Sequence, residues 1–268
     1  MKKIIAVDID GTLLNSKREI TKKTKDCLIK AQKMGHIVVI ASGRDPHGVF
    51  PFAKELEFDK YGGLLSNFNG GRITNYQTGE VLINHPMELE LAKKILKFSE
   101  ENLDMGYIIY TKDCVLTESH NTYTIDEICQ KAFTHYEVIE NLSQKLDFRP
   151  NKIMFSQDPK LIEKESIKLF DKFSDKTDQV RSTPYFYEIM PQGISKGRSL
   201  KEIANYYNID IKDTIAFGDE ENDLSMIEDA GVGVVMENGT DFMKSKADFV
   251  TKSNDEDGIT YYLENFVF

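Results

Sequence analysis

Short apolar runs that stop abruptly at polar residues recur three times along the chain: Ile4–Val7 before Asp8, Ile37–Ala41 before Ser42-Gly43-Arg44, and residues 214–217 before Gly218-Asp219. Each run is bounded by turn residues and too short for a helix, which predicts strands buried on both faces of a parallel sheet. Between the first two, residues 21–34 carry Cys27, Leu28, Ala31 and Met34 near helical spacing, and Gly35 stands where a helix stop belongs. This makes a βαβ unit. The alternation returns near the other end: a helix over 196–207, a strand at 214–217, a helix over 223–229 and the strand Val232–Val235. A helix near 241–245, a strand at 248–250 and a last helix over 259–266 complete it. The expected fold is α/β, with a doubly wound parallel sheet. In such sheets ligands bind beyond the carboxyl ends of the strands, where all three polar segments fall.

The middle has a different texture. A hairpin is predicted from 72–74 and 80–83, turning through 75–79, and Pro86 is expected to open an amphipathic helix containing Leu89, Ala92, Ile95, Leu96 and Phe98. Strands follow at 107–110, Val115–Thr117, 152–156 and 185–190, with helices around 125–131 and 161–173. These describe an inserted α+β domain over 85–188, interrupting a core formed by 1–84 and 189–268.

Composition narrows the function classes. The chain's 34 basic and 44 acidic residues give a net charge of −10, which disfavours nucleic-acid or anionic-membrane binding driven by phosphate neutralisation. Cys27, Cys114 and Cys129 are widely spaced, suggesting neither a disulfide framework nor a zinc site, and point to a reducing, cytoplasmic compartment. The five histidines show no metal-ligand spacing and are expected to have no catalytic role. Asp8 interrupts the first apolar run after four residues, so the start is a strand rather than a signal peptide, and no run is long enough to span a membrane.

The polar segments carry the candidate chemistry. Asp8-Ile9-Asp10-Gly11-Thr12 places two acids at the end of a buried strand. Unpaired carboxylates are costly there, so the pair implies a cation, a set of donors or solvent; an Asp-Gly turn cap is an equally good reading of the dipeptide alone. Ser42-Gly43 offers a hydroxyl and an approachable backbone amide, the parts of a phosphate cradle. Gly218-Asp219-Glu220-Glu221-Asn222-Asp223 supplies acids suited to a hard cation, or to a helix N-terminus. Ser195-Lys196-Gly197 opens a helix with a lysine. Gly231-Val232-Gly233 lacks the third glycine and the crossover of a dinucleotide site.

In this order the four segments resemble the haloacid dehalogenase superfamily. Its first motif is matched by Asp8 to Thr12, its second by Ser42, its third by Lys196 and its fourth by Gly218 to Asp223. The long insertion, the Asn69-Gly70 pair and the Ser-Lys-Gly setting resemble the Cof-type branch, with a Rossmann-like core and an α/β cap. The resemblance implies a phosphatase for small soluble phosphomonoesters such as sugar phosphates or phosphorylated cofactors, working as a monomer or weak homodimer. It further implies Asp8 as nucleophile, forming an aspartyl-phosphate, and Asp10 as general acid and base, in an environment different from that of Asp8.

By the same resemblance, Mg²⁺ is held by Asp8, the Asp10 carbonyl, Asp219 and Asp223. Ser42, the Gly43 amide, Lys196 and Asn222 bind phosphate, Arg44 is a candidate substrate contact, and the cap covers the site. Two alternatives use the same scaffold: a phosphomutase or phosphotransferase, and a non-catalytic regulatory protein.

Overall fold

The computed structural model describes residues 2–268. The first segment contains β1 (Ile4–Val7), α1 (Lys22–Lys33), β2 (Ile37–Ala41), α2 (Phe50–Glu55), α3 (Phe58–Tyr61), β3 (Leu64–Asn67), β4 (Arg72–Asn75) and β5 (Val81–Asn84). The insertion contains α4 (Leu89–Asn102), β6 (Gly106–Tyr110), β7 (Val115–Thr117), α5 (Ile125–Lys131), β8 (Tyr136–Val138), α6 (Leu142–Lys145), β9 (Ile153–Ser156), α7 (Pro159–Phe173), β10 (Thr177–Thr183) and β11 (Phe186–Pro191). The chain returns with α8 (Lys196–Tyr206), β12 (Thr214–Gly218), α9 (Leu224–Asp229), β13 (Val232–Val235), α10 (Asp241–Lys244), β14 (Phe249–Val250) and α11 (Gly258–Phe266).

These elements form two compact units, one of 1–84 with 195–268 and one of 85–194. In the first, an eight-stranded sheet runs β14-β13-β12-β1-β2-β3-β4-β5. The strands from β14 to β3 are parallel, while β4 and β5 extend the sheet antiparallel. β1, β2 and β12 are buried throughout, as their unbroken apolar runs require. One face packs Ile5, Val7, Val38 and Ile40 against Leu28 of α1 and Leu263 of α11. The other packs Ile4, Ala6 and Val39 against Leu200 and Ile203 of α8 and Ile227 of α9. Strand order reverses at β1, between β2 and β12, which makes the carboxyl end of β1 the topological switch point.

The second unit holds a six-stranded sheet, β10-β11-β9-β6-β7-β8, antiparallel except for the β7–β8 pair. Ala92, Ile95 and Leu96 of α4, with Ile162 and Leu169 of α7, cover one face over Tyr107, Phe155 and Ile189. Ile125 and Ile128 of α5 cover part of the other, over Ile108 and Met154. Three expectations shift. The helix expected from Pro86 begins at Leu89, because the Met87 amide donates to the Pro150 carbonyl at 2.7 Å and holds this stretch extended. The edge strand β10 was not foreseen; its Val180, Arg181 and Ser182 are exposed, and pairing with β11 rather than apolar periodicity makes it a strand. The unit closes at 194 rather than 188, since β11 runs to Pro191 and pairs on both sides. Among the described residues no helix is long and apolar enough to cross a membrane.

Candidate active site

β1 and β12 are parallel neighbours, so their carboxyl ends bring Asp8 and Asp219 to one edge. After Val7 the chain turns within one loop, closed by the Leu13 amide on the Asp8 carbonyl (3.1 Å) and the Leu14 amide on the Ile9 carbonyl (2.9 Å). Gly11 makes this turn with φ +80°. The loop tucks Thr12 inward, where its hydroxyl donates to Asp219 Oδ1 at 2.6 Å. Asn238 Nδ2 anchors it from outside by donating to the Gly11 carbonyl at 2.8 Å.

Lys196 enters from the first turn of α8. Ser195 caps that helix by accepting from the Arg198 amide at 3.1 Å, and Gly197 lets the helix approach α9, where an added Cβ would lie 2.2 Å from the Ser225 carbonyl oxygen. The fully buried Lys196 Nζ donates to Asp8 Oδ1 and to Asp223 Oδ1, both at 2.6 Å. Asp223 Oδ2 accepts from the backbone amides of Asp219 (3.0 Å) and Glu220 (3.3 Å), which fixes the acid loop after β12.

Two carboxylates thus hold the ammonium and a third stands beside them: Asp8, Asp219 and Asp223 offer oxygens all within 4.8 Å of one another. With all three carboxyls ionised, the charge count is two negative in excess. Burial, then the neighbouring Asp223 charge, pushes the Asp8 carboxyl up to about 7, despite the opposing Lys196. Asp219 is likewise pushed up to about 7, mainly by burial and against its hydrogen bond from Thr12. Burial works against the Lys196 ammonium, but Asp223 and Asp8 outweigh it and raise its pKa above the usual lysine range. Asp8 Oδ2 and Asp219 Oδ2 accept no hydrogen bond from the described residues, whereas both oxygens of Asp223 do. An all-oxygen donor set lacking two positive charges fits a hard divalent cation.

A second network lies at the end of β2, next to β1. The Asp10 side chain is 56% exposed and meets Arg44 bidentately: Arg44 Nη2 donates to Asp10 Oδ1 at 2.7 Å and Nε to Oδ2 at 3.1 Å. The environments of Asp8 and Asp10 therefore differ: Asp8 is buried among carboxylates, whereas Asp10 is exposed and paired with Arg44. Arg44, expected as a substrate contact, is engaged with Asp10 and with the Gly48 carbonyl (3.3 Å). Buried Ser42 accepts on Oγ from the Arg44 amide at 3.2 Å, and its carbonyl accepts from the Asn69 amide at 3.0 Å. Asn69, in the left-handed region at φ 55°, puts its Oδ1 3.0 Å from where a Cβ on Gly43 would stand, so this position admits only glycine without displacement.

Asp8, Asp219, Asp223 and Lys196 are therefore joined in one network, and Asp10, Arg44 and Ser42 in a second. Asn222 is exposed on the turn Glu221–Asp223, next in the chain to buried Asp223. Roles for Thr12, Asn69 and Asn238 were not foreseen. Thr12 and Asn69 lay within quoted motifs, with no role given to them, whereas Asn238 acts through a side-chain contact to a residue far away in the chain.

A family model described as haloacid dehalogenase-like hydrolase matches residues 5–263. The 5-amino-6-(5-phospho-D-ribitylamino)uracil phosphatase YwtE of Bacillus subtilis is 30% identical over 291 residues, covering 99% of this chain and 98% of its own. Among solved structures, a haloacid dehalogenase-like hydrolase from Bacteroides thetaiotaomicron matches with TM-score 0.91 and 31% identity, over 98% of this chain and 99% of its own. TM0651 from Thermotoga maritima matches with TM-score 0.90 and 29% identity, over 100% and 98%. The chain belongs to the haloacid dehalogenase-like hydrolase family and is one of its phosphatases.

Proposed function

We propose that the protein hydrolyses small soluble phosphomonoesters through an aspartyl-phosphate on Asp8, with Mg²⁺ as cofactor. The observation that carries this reading is the gathering of Asp8, Asp219 and Asp223 at the end of β1, with Lys196 as the one cation among the described residues bound to Asp8 and Asp223. Asp8 and Asp219 would hold the ion through the oxygens not hydrogen-bonded, with the Asp10 carbonyl, and Asp223 directly or through water. When bound, the ion supplies the positive charge that lets a carboxylate and a phosphate dianion meet.

In the first step an Asp8 oxygen forms a bond to phosphorus while the bond from phosphorus to the leaving oxygen breaks. Asp10 gives that oxygen its proton. In the second step water attacks the phosphorus, Asp10 takes its proton, and the bond to Asp8 breaks to release inorganic phosphate. Lys196 points Asp8 at the phosphorus by fixing one of its oxygens, and Arg44 fixes the direction of the exposed Asp10 carboxylate. Ser42 Oγ, the Gly43 amide, Lys196 and Asn222 are the donors proposed for the non-bridging oxygens, with Arg44 offering a further contact to the substrate. The inserted unit is proposed to select the leaving group. YwtE is named a 5-amino-6-(5-phospho-D-ribitylamino)uracil phosphatase, so sugar phosphates and that phosphorylated ribitylaminouracil form the first panel.

The test is inorganic phosphate release from that panel with Mg²⁺. Asp8→Asn is expected to lower turnover at least about 10⁴-fold while the fold is kept, because losing one member of a reacting set removes most of its effect. Preserved turnover in the variant would refute Asp8 as nucleophile, and transfer to a second alcohol without phosphate release would refute hydrolysis.

A further inference from the structure

Three side chains with metal-ligating atoms meet at the edge of the six-stranded sheet, wholly within the inserted unit: Cys114, His135 and Glu137. Their ligand atoms all lie within 4.8 Å of one another, and His135 Nε2 stands 3.8 Å from Glu137 Oε1. Neither the cysteine spacing nor the histidine spacing suggests this site. The parallel pairing of β7 with β8 creates it.

In that pairing Val115 faces Tyr136 and Leu116 faces Glu137. One step back, the Val115 amide donates to the His135 carbonyl at 2.9 Å, so Cys114 and His135 are neighbours where the two strands begin. Side chains alternate along a strand, which puts His135 and Glu137 on one face, and Cys114 shares that face with Leu116. A cross-strand residue and an i, i+2 pair on its partner thus converge.

The thiol is held in advance. Thr111 and Cys114 close a turn, with the Thr111 amide on the Cys114 carbonyl at 2.9 Å and the Cys114 amide on Thr111 Oγ1 at 3.0 Å. Thr111 Oγ1 donates to the Cys114 carbonyl at 2.8 Å and lies 3.6 Å from Cys114 Sγ, so the turn fixes where the thiol stands. Cys114 is buried, whereas the side chains of His135 and Glu137 are 68% and 57% exposed and free to close around an ion.

We propose that Cys114, His135 and Glu137 form a second metal site, which takes a borderline divalent transition ion such as zinc and leaves a fourth position to water. A thiolate, an imidazole and a carboxylate suit that class of ion, whereas the all-oxygen site at Asp8 suits a hard one. The two negative charges of thiolate and carboxylate balance the ion. As sulfur bonds to the metal, the thiol's S–H bond breaks and its proton passes to solvent, so binding tightens as pH rises. The ion would tie β8, an edge strand of three residues, to β7.

The experiment is titration of the metal-stripped full chain with Zn²⁺ and, separately, with Co²⁺ in the presence of excess Mg²⁺. Thiolate ligation to Co²⁺ gives a sulfur-to-metal charge-transfer band that an all-oxygen site cannot produce. One equivalent of Zn²⁺ and that band are expected in the wild type. The band is expected to vanish in Cys114→Ser and Zn²⁺ affinity to fall at least about tenfold in His135→Ala and Glu137→Gln. Glu137 is exposed, so its variant reports even if Cys114→Ser fails to fold. Absence of the band in the wild type, its persistence in Cys114→Ser, or unchanged zinc affinity in both other variants would overturn the proposal.

Discussion

Gly11 has φ +80°, and a Cβ built on it would fall 2.1 Å from Asp219 Oδ2. That oxygen accepts no hydrogen bond from the described residues and is one of the two offered to a cation. Gly11→Ala is therefore expected to push Asp219 out of place and to weaken divalent-cation affinity at least about tenfold, a loss comparable to removing a supporting ligand. Isothermal titration with Mg²⁺ reads this directly, and wild-type affinity in the variant would show that the loop yields elsewhere. At this scale Asp8, Asp219 and Lys196 were legible in the sequence because each stands at an element end whose apolar neighbours announce it. Asn238 was not, because it acts through a side-chain contact to Gly11, far away in the chain.

Between β9 and β11 the second unit buries a charge pair. Lys152 Nζ donates to Glu188 Oε2 at 3.0 Å, Ser182 Oγ donates to Glu188 Oε1 at 2.8 Å, and both charged residues are buried. Taking two ions from water is offset in part by their mutual attraction, by these hydrogen bonds and by the Tyr110 ring, whose centroid lies 5.7 Å from Lys152 Nζ. Lys152→Met should cost about 3–5 kcal/mol by leaving Glu188 buried without its cation, while the double replacement Lys152→Met with Glu188→Leu should recover most of it. Denaturant unfolding of the three variants measures both, and a double variant as unstable as the single one would count against a pair desolvation account. β11 itself was foreseen from its apolar residues; its ionic partner across the sheet was not, since Lys152 and Glu188 lie far apart in the chain.

For the molecule as a whole, the crowded carboxylates make stability depend on pH and on the cation together. An unfolded Asp releases its proton near 3.8, whereas Asp8 and Asp219 hold theirs up to about 7 in the folded chain. Between those values the folded state binds more protons than the unfolded one, so stability falls as pH rises through this window. Removing the excess charge with a bound dication opposes that fall. The Tm measured with Mg²⁺ should exceed the Tm in chelator clearly at pH 8, with the gap closing by pH 5. A gap of equal size at both values would mean that these carboxyls are not the groups that sense the cation.

The sequence by itself determined the parallel core, the position of its strands and the ends at which chemistry-bearing residues gather. Unbroken apolar runs can only be buried on both faces, and whatever follows them must emerge at one edge. It also carried the order of the four motifs, and with it the family. Only the tertiary structure decided who meets whom. It set Lys196 between Asp8 and Asp223, gave Asp10 to Arg44, and brought Cys114 to His135 and Glu137. The reason is that strand pairing and helix packing join residues far apart in the chain, and register, which local periodicity does not encode, selects the partners.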